Sequence, residues 1–196
     1  MSQANPDDIL NFWFGSPDDS QFGQSRPEWF KKSDEFDRLL ESRFGSLVAQ
    51  AIDGQLNHWA QPPASAESAL GLVLLLDQLP RNIYRGTARM YAGDTLALLT
   101  AKRMIANGQD LQLNPVQRQF CYLPFEHAED RALQNESLRL FKLLEPFEQT
   151  AELSQWAYKH AVIVEQFGRF PHRNQILGRV STAEELEFLK QPGSGF

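Results

Sequence analysis

The segment from Glu67 to Leu79 constrains the fold more than any other part of the chain. It contains eight consecutive apolar residues, Ala69 to Leu76, and wound as a helix it is apolar on every side. A helix of that kind cannot lie on a surface and must be enclosed by other elements. Eight residues are also far short of the roughly 20 that a membrane span needs. Elsewhere no run of β-branched residues alternates with polar ones, so no sheet is expected to supply the enclosure. The surrounding layer must therefore be helical.

The predicted helices follow from caps and stripes. Asn5-Pro6-Asp7-Asp8 opens one through Ile9, Leu10 and Phe12. Ser33 caps a second, with the stripe Phe36, Leu40, Phe44, Leu47 and Ala51, interrupted by Gly45 and stopped by Gly54. Pro80 is read as the end of the enclosed helix, and Asp94 as the cap of a helix stopped by Asn107-Gly108. Asn114-Pro115 starts a short helix, and Pro124 starts a long one reaching about Leu144. Ala151 to Phe167 forms another, and Ser181 with Glu184 makes a capping box for the last. Gln61 to Ser65 is an ordinary interhelical loop, so residues 1–196 form one all-α domain of about eight helices, with Gln191 to Phe196 a loose tail.

With 196 residues the chain suits a single domain, and its formal charge of -6 argues against nucleic acid or an anionic membrane as partner. Cys121 stands alone, so no internal disulfide or multi-cysteine metal cage is available. No Lys or Arg precedes Arg26, so no secretory signal is read and a cytoplasmic location is expected.

The basic residues are segregated. Residues 78–93 hold Arg81, Arg85 and Arg89 without an acid, and residues 166–183 hold Arg169, Arg173, Arg179 and His172 without an acid. The two stretches also echo one another. Asp77-Gln78 precedes Pro80-Arg81-Asn82, and Glu165-Gln166 precedes Pro171-His172-Arg173-Asn174. A duplication of this kind favours stacked helical hairpins with a concave face. Arginine offers a planar fork suited to carboxylate and phosphate, so the clusters are read either as an anion pocket or as partners for buried acids. Such acids are visible: Asp77 lies on the enclosed helix, and Glu126, Glu129 and Glu136 fall within the apolar arc of the helix expected after Pro124. Asp77 and Glu129 should pair with Arg81, Arg85, Arg169 or Arg173, and Glu129→Ala should then cost about 3–5 kcal/mol.

On the same helix His127 points away from that arc and is read first as a surface histidine, while His160 shares a stripe with Trp156 and Val164 and is read as a core histidine bonded to a neighbour. No H-E-x-x-H, Walker or G-x-S-x-G pattern occurs, and no metal or cofactor is expected. Phe12, Trp13, Phe14, Trp29 and Phe30 either tie the first helix to the core or floor a pocket beside the arginines.

Four stretches carry a family likeness: LNFWFG (10–15), LDQLPRNIYRGT (76–87), YLPFEHAED (122–130) and FGRFPHRNQILGR (167–179). In this order they resemble the bacterial domain-of-unknown-function family 924, over nearly the whole chain. The resemblance implies a TPR-like helical fold and no established activity. Leu79 replaces a commoner Phe, and Ala128 a common Ser, which weakens any mechanism needing a hydroxyl there.

Two functions follow as expectations. The first is a binding module whose groove takes a small anion or a peptide carboxylate. Its ligand residues would be Asp77, Arg81, Asn82, Arg85 and Glu126 from one pair of motifs, and Arg169, His172, Arg173 and Asn174 from the other. The second is a metal-independent hydrolase or lyase acting on an anionic substrate, with His127 as general base oriented by Glu126 or Glu129.

Overall fold

The computed structural model describes residues 5–195, and among these every regular element is helical. Helix α1 (Pro6–Phe14) opens with the Asn5 side chain accepting from the Asp7 N–H, and α2 (Asp34–Ile52) with Ser33 accepting from the Phe36 N–H. Gly45 does not interrupt α2, which runs unbroken because its flanking turns bury Leu40, Phe44 and Val48.

Helix α3 (Ala66–Val73) passes through a π-turn (Leu74–Gln78) directly into α4 (Leu79–Ile83), forming one rod. Pro80 therefore does not end the helix. It sits in the first turn of α4, just past the π-turn, where a missing N–H is tolerated. The rod is buried from Ala69 to Pro80, as its composition requires.

Helix α5 (Asp94–Ala106) is capped by Gly93, so Asp94 is its first residue and not its cap. Helix α6 (Pro115–Glu126) begins with a capping box between Asn114 and Gln117 and carries Pro124 inside its last turn. The expected long helix from Pro124 to Leu144 does not form. The chain breaks at His127–Asp130, and Asp130 caps α7 (Arg131–Lys142) by accepting from the Leu133 N–H. After α8 (Leu153–Phe167), closed by Gly168 at φ 71°, comes α9 (Ala183–Phe188). Its capping box uses Thr182 and Glu185 instead of Ser181 and Glu184. Counting the rod once, these make eight α-helices among the described residues.

The front aromatics belong to the core. Trp13 and Trp29 stack with centroids 6.1 Å apart, and Phe120 meets Trp29 edge-on at 4.9 Å. Phe30 alone of this group is largely exposed. Among the described residues no helix is long and apolar enough to cross a membrane. At the tail, Ser194 donates to the Leu189 carbonyl, and Phe196 lies outside the described residues.

Candidate functional site

Asp77 occupies the π-turn and is fully buried. Pro80 has no N–H to offer the Leu76 carbonyl four residues back, and Gly93 packs against that carbonyl. A Cβ at Gly93 would lie 2.2 Å from Leu76 O, so the approach is possible only for glycine. It sets Asp94, the next residue, within reach of Arg81, whose Nη1 is 2.9 Å from Asp94 Oδ1 and whose Nη2 is 3.2 Å from Oδ2.

From here a closed circuit of side chains can be traced. Arg81 Nη1 is 3.4 Å from Asp77 Oδ1, and His127 Nδ1 is 2.7 Å from the same oxygen. Asp94 Oδ2 faces Arg173 Nη1 at 3.7 Å, and the Arg173 guanidinium lies over the rings of Phe170 (4.5 Å) and Tyr91 (4.7 Å). The Phe170 ring meets His160 at 5.6 Å, and His160 meets His127 at 6.3 Å, closing the circuit. The rod, α5, the break after α6, α8 and the segment following it each supply a member.

Charge within the circuit is balanced in part only. Burial alone would raise the Asp77 carboxyl. The charge of Arg81, then the imidazole of His127 and the amide of Gln78, hold it well below the usual carboxylate range. Burial, then Arg81, pushes His127 below its ordinary value against the pull of Asp77, so the ring is neutral near pH 7. A neutral imidazole facing an ionised carboxylate carries its hydrogen on the facing nitrogen. Nδ1–H therefore donates to Asp77, and Nε2 keeps a lone pair. Nε2 makes no hydrogen bond among the described residues and is not sealed from water. Next to His127, burial, then the Asp77 charge, raises Glu126 to about 8, and its Oε2 has no hydrogen-bond partner among the described residues. Burial likewise takes His160 down to about 3 and His172 to about 4.

Arg173 is the odd member. Its side chain is 8% exposed, yet none of its donors makes a hydrogen bond among the described residues. Nε is sealed in, whereas the terminal nitrogens reach solvent. Burial, then the nearby charge of Arg81, pushes its pKa below the ordinary value.

The other sequence-predicted residues divide away from this circuit. Arg85 and Asn82 hold Asp37 of α2, with Arg85 Nε 2.7 Å from Oδ2 and Asn82 Nδ2 2.8 Å from Oδ1. Arg169 and Asn174 hold Glu185 of α9. Glu129 pairs with Arg179 and accepts the Phe170 N–H at 2.7 Å. Of the pairings expected from sequence, only Asp77 with Arg81 forms; Arg85, Arg169 and Glu129 take other partners. The helix break is the physical reason for the Glu129 error, since the arc drawn through Pro124–Leu144 has no counterpart. The same break turns His127 inward, so it is no surface histidine, and Asp77, not Glu126 or Glu129, orients it. His160 is the core histidine expected, with Nδ1 2.9 Å from the Trp156 carbonyl.

Sequence reasoning missed Asp94 as a site residue, together with Tyr91. Asp94 was visible as the acid nearest the first arginine stretch. Arg81 and Arg173 lie over Tyr91, and Arg173 also over Phe170, and neither over the front aromatics. Among the described residues no three of His, Cys, Asp and Glu are arranged to hold a metal ion. An open groove between α7 and α8, lined by Lys142, Tyr158 and Lys159, and a small cleft at Trp13, Arg26 and Trp29 share no residue with the circuit.

An all-helical domain with a partly buried, charge-bearing circuit of side chains is thus the class that the fold and the site define. Residues 9–193 match the family described as "Bacterial protein of unknown function (DUF924)", and the chain belongs to that family. Among solved structures it is similar to the protein of unknown function ATU0120 from Agrobacterium tumefaciens. The two are 41% identical, with a TM-score of 0.81, over 95% of this chain and 97% of that one. No curated protein matches the chain.

Proposed function

We propose that the protein binds a small anion, a carboxylate or a phosphate, at Arg173. The observation that carries this reading is the Arg173 fork itself: buried between two aromatic rings, without a hydrogen bond among the described residues, and with its terminal nitrogens open to solvent. A desolvated guanidinium left in that state is costly, and a charge-assisted, bidentate oxyanion contact is the complement it lacks. Asp94, 3.7 Å away and shared with Arg81, is a partial substitute. Arg85, Arg169 and Arg179, each bonded to a carboxylate, are structural clamps in this reading. The packing of α7 on both α6 and α8 supports stacked, TPR-like hairpins as the scaffold. The acidic net charge favours a small ligand over nucleic acid.

Thermal-shift and calorimetric titration with orthophosphate, acetate and succinate test the proposal. At least one anion should raise the melting temperature of the wild type and of Arg85→Ala, and none should raise that of Arg173→Ala. A wild-type protein unmoved by all three overturns it.

A further inference from the structure

We infer that the site is catalytic, with His127 as a general base that takes a proton from the bound anion, or from a water beside it, and Asp77 as its positioning residue. This rests on the anion site at Arg173 and goes beyond it by making the ligand a substrate.

The geometry distinguishes His127 from a histidine that only fills space. Its Nδ1–H is fixed on Asp77 Oδ1 at 2.7 Å, which selects one tautomer and one ring orientation. Asp77 is itself held by the Gln78 amide and by Arg81, and it sits on a π-turn, a device that recurs at functional sites. The second ring nitrogen, Nε2, is left without a hydrogen bond among the described residues and open to water. His127 and Arg173 also belong to one circuit, joined on one side through Asp77, Arg81 and Asp94, and on the other through His160 and Phe170. A base with a free lone pair thus shares one connected set of side chains with the group that would hold the substrate's charge.

In the step itself the Nε2 lone pair takes the proton of an O–H group. The N–H bond forms as the O–H bond breaks, and the oxygen keeps the electron pair and becomes the nucleophile or leaving oxyanion. Asp77 compensates the imidazolium that results, and Arg173 faces the growing negative charge. The charged and titratable groups around His127 are Asp77 and Arg81 from the rod, Asp94 from α5, Glu126 next to it in the chain, His160 from α8 and His172 beyond α8. Glu126 is kept protonated by its burial, so Asp77 is the carboxylate that orients the ring.

The probe is inorganic phosphate on the full chain. Histidine-labelled protein at pH 7 should show His127 by nitrogen NMR as the Nδ1–H tautomer, and phosphate should move it toward imidazolium. Calorimetry in two buffers of different ionisation enthalpy should show proton uptake on binding. That uptake should be lost in His127→Gln and kept in Arg85→Ala. In Asp77→Asn the tautomer should no longer be fixed; if that variant fails to fold, the wild-type spectrum still reads the tautomer. Phosphate binding without proton uptake, or an Nε2–H tautomer in the wild type, overturns this inference and leaves the anion site standing. Absence of phosphate binding by the wild type removes the anion site and this inference together, so the two failures are distinguishable.

Discussion

Arg81 and Arg173, from the two halves of the chain, close on the two oxygens of one carboxylate: Arg81 Nη1 lies 2.9 Å from Asp94 Oδ1, and Arg173 Nη1 lies 3.7 Å from Oδ2. Asp94 therefore links the two echoing arginine motifs and also competes with any anion that Arg173 would hold. Replacing it with Asn should destabilise the fold by about 1–3 kcal/mol, since the carboxylate is partly exposed and Arg81 retains Asp77. The same change should tighten phosphate binding several-fold, because a like charge a few ångströms from the anion opposes it by about 1 kcal/mol even in water. Urea unfolding and calorimetry of Asp94→Asn measure the two effects, and weaker phosphate binding in this variant would count against Arg173 as the anchor.

Glu129 and Arg179 form the pair that ties the break after α6 to the segment after α8. Both side chains are about a quarter exposed (23% and 24%), so Glu129→Ala should cost about 2–3 kcal/mol, less than a sealed pair would. Burial alone would raise this carboxyl, but Arg179 and the Phe170 N–H hold it below its ordinary 4.5. A depressed carboxylate stabilises fully above that ordinary value, and the contribution is lost as pH falls through the lower, folded one. The stability difference between wild type and Glu129→Gln should shrink accordingly below about pH 4.5. A loss under about 0.5 kcal/mol for Glu129→Ala would show that the pair contributes nothing.

Glu126 has the opposite sign. With its folded value raised from 4.5 to about 8, the native state holds a proton that the unfolded chain has released, so stability falls as pH rises between those values. Glu126→Gln removes that penalty and should stabilise the protein by about 1–3 kcal/mol at pH 7, with little gain at pH 4. Melting curves of the two proteins at both pH values decide it, and a variant destabilised at pH 7 contradicts the neutral carboxyl.

Gly93→Ala should unfold or distort the site, since its Cβ meets backbone and not a flexible side chain. A loss of at least about 2 kcal/mol is expected. Gly86→Ala is a control of another kind: it has open space around it but a φ of 79°, so its cost is conformational. Circular dichroism and thermal denaturation compare the two; a Gly93→Ala protein as stable as wild type would mean that the rod can shift away from α5.

Much of the fold could be read from local signals. Asn5, Ser33 and Asn114 accept N-terminal amide hydrogens where their sequence context predicts caps. The enclosed rod follows from the apolar faces of Ala69–Leu76. The errors sit at the two prolines, because a sequence rule treats Pro as a boundary. In the structure Pro80 follows a π-turn, and Pro124 occupies a turn that is about to end. One available signal, Asp130 three residues ahead of Leu133, would have marked the break. Missing it moved Glu129 into the core and His127 out of it. The composition of the site was legible in Asp77, Arg81, His127 and Arg173. Its wiring was not, since Asp94, Arg179 and Glu185 come into range only through tertiary packing.

The π-turn divides the central rod into two parts with different tolerance to insertion and deletion. Its first part is enclosed on every side, so rotating it presents much the same hydrocarbon to its neighbours. The second part carries Arg81 and Asn82 toward fixed carboxylates and is sensitive to phase. Deleting one residue from the α-helical turns ahead of the π-turn, with the π-turn kept, would turn everything beyond by about 100°. The apolar half would still be buried, while the arginine and asparagine would face the wrong helices. Substitutions among the leucines should therefore be accepted far more readily during divergence than any change in the length of this segment.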